Sequence, residues 1–347
     1  MKLIIKYLFI ILLTIIILFG TGLFYFTLND YTPPSKEIIA INKNAKIIAN
    51  HKISLLTWNI GYCGLDKNMD FFYDGGKKVR TTKQQTIANL TAIKTFLKNA
   101  DSIDIMLLQE VDVNSKRSYG INDLDTFKNL FTNISIDFAK NYDVQFVPVP
   151  IKSPMGKVIS GQVILSKQKV ENSARYSYPV NYSWPTSLFM LDRCFVVNRY
   201  KLFNNKYLVV INTHNSAYGD GSMQKKELVF LKSFLLNEYK AGNYIIVGGD
   251  WNQNPPNYES KNTKSKAGNF TLVSVDSTLM PADWKWIYDS KTPTNRFLDQ
   301  CYSPNNETTI LDFFLISPNL QAISVKTIDL QFQHSDHNPV IIEVELN

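Results

Sequence analysis

The stretch Ile245-Ile246-Val247-Gly248-Gly249-Asp250-Trp251-Asn252-Gln253-Asn254-Pro255-Pro256 is an apolar run that halts at two glycines and then delivers an acid and an amide. A run of this length, bounded by turn residues, reads as a buried strand. The Asn-Pro-Pro that follows cannot stay in a hydrogen-bonded ladder, so the strand ends at a rim. Open sheets present their chemistry at strand ends, which makes Asp250 and Asn252 candidates for a cleft mouth.

The same pattern recurs on both sides. Ile53 to Trp58 is an apolar strand ending at Asn59-Ile60-Gly61, and Ile103 to Leu108 is one ending at Gln109-Glu110. Arg193 to Leu202 and Lys206 to Asn212 form a hairpin around Asn204-Asn205, and the second strand ends at Thr213-His214-Asn215. Asp143 to Pro150 and Ile159 to Ser166 read as neighbouring strands, and Thr309 to Ser317 as one carrying Asp312. Gln321 to Leu330 is expected to pair with the Asp312 strand across Ser317-Pro318-Asn319. His334-Ser335-Asp336-His337-Asn338 precedes a closing strand.

Two amphipathic helices interrupt the strands. One, capped by Thr81 or Thr82, carries Leu90, Ile93 and Leu97 on one stripe. The other runs from about Ser222 to Lys240, with Leu228, Leu231 and Leu235 inward and Gly242 as its stop. Residues 254–308 hold no confident regular element. Many strands and few helices predict an α/β (α+β) fold, with two packed mixed sheets flanked by helices.

The chain has 347 residues, enough for one large core plus an appendage. The appendage is N-terminal: Lys2 and Lys6 precede an apolar run from Tyr7 to Leu28, the roughly 20 residues a spanning helix requires. The organisation expected is a transmembrane signal anchor at 1–28, a tether at 29–50 and a catalytic domain at 51–347. The lysines favour a cytoplasmic N-terminus and a domain on the outer face. A cleaved signal peptide is the alternative.

A net charge of +7 is a mild attraction to phosphate-bearing partners and does not separate nucleic acid from anionic lipid. Three scattered cysteines, Cys63, Cys194 and Cys301, argue against a disulfide framework and for buried free thiols.

Asn59, Glu110, His214, Asp250, Asn252, Asp336 and His337 are thus polar groups left at the ends of successive strands. Carboxylates and amides without thiolates suit a hard cation such as Mg²⁺ or Mn²⁺, and histidines beside them serve proton transfer or phosphate contact. Trp58-Asn59, Gln109-Glu110, Asn212-Thr213-His214, Gly249-Asp250-Trp251-Asn252 and Ser335-Asp336-His337, in this order, resemble the motif series of the endonuclease/exonuclease/phosphatase superfamily, over about Lys52 to Leu346.

The resemblance implies a four-layer sandwich that hydrolyses phosphoesters with a divalent metal. It implies Glu110 as principal metal ligand, assisted by Asn59 and Asp336. It makes Asp250 the group acting on the attacking water, Asn252 and the two histidines phosphate contacts, and Asp312 the partner of His337. Arg193 and Arg296 are further candidates for substrate contact. The substrate expected first is a nucleic-acid phosphodiester. The alternatives are a phospholipid headgroup, a phosphomonoester and, from another class, an inactive binding module; no protein partner is expected.

Overall fold

The computed structural model describes residues 1–48, 50–203, 205–259 and 266–347. Two mixed sheets pack face to face. The larger runs, edge to edge, Lys36–Ile41, Asn172–Ser177, Cys194–Lys201, Tyr207–His214, Tyr244–Asp250, Asp312–Ile316 and Lys285–Ile287. The other runs Leu320–Thr327, Val340–Leu346, Lys52–Asn59, Ile105–Asp112, Gly156–Ser166 and Ser135–Val147.

Strands apolar on both faces require cover on both. Leu55, Leu107, Val210, Ile246 and Phe314 fill the space between the sheets. The helix Ser222–Lys240 lays Leu228, Leu231 and Leu235 on the outer face of the larger sheet. Lys83–Asn99, capped by Thr82, and Asp123–Leu130 cover the other sheet through Leu90, Ile93, Leu97 and Phe127. The result is the four-layer α/β sandwich that the sequence predicts. Each buried leucine stabilises it by about 1.5–3 kcal/mol, so the two helix stripes fix which face of each sheet turns inward.

Each sheet contains one parallel pair. Lys52–Asn59 lies beside Ile105–Asp112 with Asn59 opposite Gln109, and Tyr207–His214 beside Tyr244–Asp250 with His214 opposite Asp250. A polar stitch joins the two pairs: Gln109 Nε2 donates to Asn212 Oδ1 at 2.7 Å, and Asn212 Nδ2 donates to the Leu108 and Val163 carbonyls, each at 3.0 Å. Both sheets therefore present their parallel-pair C-termini at one place.

Several expectations are corrected. Leu320–Thr327 pairs with Val340–Leu346 in the smaller sheet rather than with the Asp312 strand, which pairs instead with Tyr244–Asp250 and Lys285–Ile287. Ser317-Pro318-Asn319 is thus a crossing between sheets. The expected strand at Asp143 begins at Ser135, and the helix Asp123–Leu130 and the strand Asn172–Ser177 carry too few apolar repeats to stand out. In the 193–212 hairpin, Asn205 has φ 58 as a turn requires, and Asn204 lies outside the described residues. Residues 254–308 contain only two- and three-residue strands among those described. Cys63 and Cys194 are buried free thiols, but Cys301 is exposed.

The helix Lys2–Leu28 has 27 residues, none buried, and is long and apolar enough to cross a membrane. The segment expected as a tether is not free chain. Lys36–Ile41 joins the larger sheet antiparallel to Asn172–Ser177, and the Pro34 carbonyl accepts from Ser177 Oγ at 2.8 Å.

Candidate active site

Asp250 stands at the centre of a cleft of about 330 Å³ formed where the two parallel pairs end. Its Oδ2 accepts from Asn59 Nδ2 at 2.9 Å, and its Oδ1 from the Asn252 amide at 2.9 Å. His214 Nε2 lies 3.5 Å and His337 Nε2 3.7 Å from the same Oδ2. The packing that allows this is close: at Gly249, φ is 153°, and a Cβ would fall 1.9 Å from the Thr213 carbonyl oxygen. Only glycine lets the neighbouring strand approach and set His214 beside Asp250.

Glu110 reaches the cleft by a different device. Alternation along an undisturbed strand would fix its direction by its neighbours, but the ladder to Gly156–Ser166 shifts between Leu108 and Val111, and Glu110 has φ 56. This bulge re-aims one side chain beside an active cleft. It also explains why the strand runs on to Asp112 instead of stopping at Leu108. Glu110 Oε1 receives Asn59 Nδ2 at 3.3 Å and lies 4.0 Å from His214 Nε2. Burial pushes its carboxyl up from the ordinary range, and the Arg117 guanidinium opposes that shift.

The loop carrying Ser335, Asp336 and His337 is tied to the opposite strand. Ser335 Oγ donates to the Asn59 carbonyl at 2.8 Å, and Trp58 Nε1 to the His337 carbonyl at 2.9 Å. His337 Nδ1 lies 2.7 Å from Asp312 Oδ2. Burial disfavours charge on this ring, but Asp312, Asp250 and Asp336 outweigh it and hold its pKa well above the ordinary value. Burial pushes the Asp312 carboxyl up to about 6, against the pull of His337. His214 goes the other way: burial, with Arg193 and His337 nearby, depresses it well below 6.5. The two rings are thus biased in opposite directions, His337 toward its charged form and His214 toward its neutral one.

Asp250, Asp312 and His337 offer ligand atoms within 4.8 Å of one another. The mutual bond of Asp312 and His337 consumes Nδ1, so this trio reads as a proton relay rather than a cage. The oxygen donors available to a hard cation are the Glu110 and Asp336 carboxylates and Asn59 Oδ1, which already accepts from the Gly61 amide at 2.9 Å. Burial raises Asp336 as it does Glu110, and a cation would relieve both. Gly61, at φ 52, leaves room there: a Cβ would lie 2.9 Å from Asp336 Oδ1.

Asn252 turns its Nδ2 to the Asn215 carbonyl at 2.9 Å. Arg193 lines the cleft, with Nη1 3.5 Å from the His214 carbonyl. Arg296 also lines it, but Nη1 and Nη2 serve the carbonyls of Phe297, Gln300, Asp66 and Met69 at 2.7 to 3.3 Å. His51 is exposed at the domain entry, and His334 Nδ1 sits 3.4 Å from Asn89 Oδ1. The aromatic stretch Trp284 to Tyr288 packs away from the cleft, Trp284 on Tyr239 and Trp286 on Trp251.

Sequence reasoning missed Asn295, Asp74 and Tyr218, and the cleft also takes in Arg117. Arg117 is buried in an ion pair with Asp112 at 2.8 Å, its guanidinium carbon 3.8 Å from the centre of the Tyr62 ring. Asn295 Nδ2 lies 3.0 Å from His337 Nε2. Asp74, beside Tyr218, has a carboxyl that burial and Asp336 push up to about 8. Asn295, Asp74 and Tyr218 do not stand at the end of an apolar run, so no strand-end signal marks them.

The Endonuclease/Exonuclease/phosphatase family profile matches residues 56–337, and the chain belongs to that family. Its fold is similar to an endonuclease/exonuclease/phosphatase from Beutenbergia cavernae DSM 12333, with TM-score 0.59, 16% identity, and coverage of 86% of this chain and 72% of that one. It is also similar to truncated Caenorhabditis elegans TDP2, with TM-score 0.52, 15% identity and coverage of 85% and 98%. A third is ANGEL2, a 2',3'-cyclic phosphatase, with TM-score 0.54, 16% identity and coverage of 88% and 99%. At these identities the likeness carries the fold. No curated protein sequence matches the chain as a relative.

Proposed function

We propose that this chain is a divalent-metal-dependent phosphoester hydrolase, most simply a phosphodiesterase, held at a membrane by its N-terminal helix. The observation that carries the reading is the convergence on Asp250 Oδ2 of Asn59 at 2.9 Å, His214 at 3.5 Å and His337 at 3.7 Å, with Glu110 beside them. A carboxylate so placed can orient a water for in-line attack on phosphorus and take its proton. His337, charged and aligned by Asp312, donates toward a non-bridging or departing oxygen; His214, neutral, presents Nε2 to the same space. Arg193 and Asn252 stand where they can contact the phosphate. Mg²⁺ or Mn²⁺, held by Glu110, Asp336 and Asn59, would neutralise charge on the phosphoryl oxygens.

A nucleic-acid substrate requires free counter-charge along the cleft. Two of the three arginines lining it, Arg117 and Arg296, are committed to protein acceptors. That leaves the nucleic-acid reading weaker than the net charge alone makes it.

The test is hydrolysis of bis(p-nitrophenyl) phosphate by the full chain. Turnover should appear with Mg²⁺ or Mn²⁺ and vanish in excess chelator; full turnover in chelator would overturn the metal assignment. A domain on the outer face, the orientation that Lys2 and Lys6 favour, has its own readout. A membrane-impermeant maleimide should label exposed Cys301 in intact cells, and labelling only after lysis would reverse the orientation.

A further inference from the structure

We infer that the cleft opens at the bilayer surface and that its substrate is a membrane phospholipid whose phosphate enters the Asp250 end while its apolar part lies along the cleft wall. This rests on the phosphoester-hydrolase reading and adds the substrate class to it.

The first observation is where the membrane helix ends. In its last turn, Thr27 Oγ1 accepts from Trp184 Nε1 at 3.1 Å, and the Phe26 ring meets Phe189 edge-on at 5.4 Å. Pro185, Thr186, Phe189 and Met190, from the same short segment, line the cleft. The helix therefore stands directly against the rim of the active site.

The second is that the chain between them has no slack. Only residues 29–35 separate Leu28 from the strand Lys36–Ile41. Lys140 Nζ sits 4.2 Å from the centre of the Tyr31 ring, and the Ser35 carbonyl accepts from the Ser177 amide at 3.0 Å. A spanning helix of 27 residues is about 40 Å long, more than the roughly 30 Å hydrocarbon core, so its last turn lies in the headgroup region. Trp184, hydrogen-bonded to that turn and 60% exposed, then occupies the level where indole rings concentrate.

The third is the opposing rim. Val147 at the end of the strand Ser135–Val147, with Val149 and Met155 in the turn that joins it to Gly156–Ser166, lines the cleft. The strand leading into this turn adjoins the Trp184 segment: Tyr142 Oη donates to the Phe189 carbonyl at 3.0 Å, and the Asp192 amide to the Asn141 carbonyl at 2.8 Å. At the tip of the turn Ile151 is 90% exposed, beside the exposed Lys152. An exposed apolar tip with a cation beside it suits the boundary between headgroups and acyl chains. Between the rims the wall is apolar, with Tyr142, Val147, Phe189 and Met190. Among the described lining residues a nucleotide strand would meet three cations, Arg117, Arg193 and Arg296, of which Arg117 and Arg296 are committed to protein acceptors.

The reaction on such a substrate balances as hydrolysis. Water's oxygen bonds to phosphorus, the P–O bond to one alcohol breaks, and the water's proton ends on that alcohol.

The experiment uses the full chain in vesicles of phosphatidylcholine, phosphatidylglycerol and sphingomyelin with Mg²⁺. Loss of intact phospholipid is followed by phosphorus NMR, with bis(p-nitrophenyl) phosphate and a single-stranded DNA oligonucleotide as comparison substrates. Phospholipid should be consumed, and Ile151→Asp should lower the ratio of lipid to soluble-ester turnover about tenfold or more. Brominated lipid should quench tryptophan fluorescence in the wild type and much less in Trp184→Phe, a readout independent of activity. Intact phospholipid beside rapid DNA cleavage, or quenching unchanged in Trp184→Phe, would overturn this inference and leave the hydrolase reading standing. Failure to hydrolyse any of the three would instead overturn the hydrolase reading.

Discussion

Asp312 lies directly across the antiparallel ladder from Asp250, and His337 bridges the pair, with Nδ1 2.7 Å from Asp312 and Nε2 3.7 Å from Asp250. Strand register, rather than any contact between the acids, thus sets where the imidazole points. Asp312→Asn keeps the shape and removes the charge that holds His337 protonated. It should lower kcat by about 10–100-fold with little loss of fold. Because Asp312 raises the His337 pKa, the alkaline limb of the rate profile should move to lower pH in the variant. An unshifted limb would separate His337 from the working proton.

Arg296 makes a prediction of the opposite kind. Its two terminal nitrogens bind four carbonyls from two loops, so Arg296→Ala strands buried acceptors. It should cost about 3 kcal/mol or more of stability by denaturant unfolding. A stable variant with a raised KM would show that this arginine is held for the phosphate instead.

Much of this centre was legible because strand ends advertise themselves. Asn59, His214 and Asp250 each close an apolar run, and the structure brings all three together. Glu110 was readable as a strand-end acid, but not the bulge that aims it, because positive φ at a glutamate leaves no mark in composition. Pairing across sheets was less legible. Leu320–Thr327 follows the Asp312 strand closely enough to look like its hairpin partner, but Lys285–Ile287 takes that edge and Leu320–Thr327 pairs with Val340–Leu346. Asp74 and Asn295 sit in segments whose paths depend on contacts far away in the chain.

Asp74 supplies a pH test. Its ordinary pKa of 3.8 is raised to about 8 in the fold, first by burial and then by Asp336. The folded state therefore holds a proton that the unfolded state gives up, and this contribution to stability is complete below pH 3.8 and lost as pH rises toward 8. Asp74→Asn removes the ionisation. In metal-free protein, the Tm of the variant relative to wild type should rise between pH 5 and pH 8, as followed by circular dichroism. A difference that stays constant across that range would place the Asp74 carboxyl in the ordinary range.

The central claim, that Glu110 and His337 serve one hydrolytic centre built from both sheets, is tested most directly by bis(p-nitrophenyl) phosphate turnover in Glu110→Ala and His337→Ala. Both should keep the wild-type circular dichroism spectrum, and each should lose about 10²-fold or more in kcat/KM at saturating Mg²⁺. Wild-type rates retained by both folded variants would contradict the account and return the chain to a binding module on the same fold.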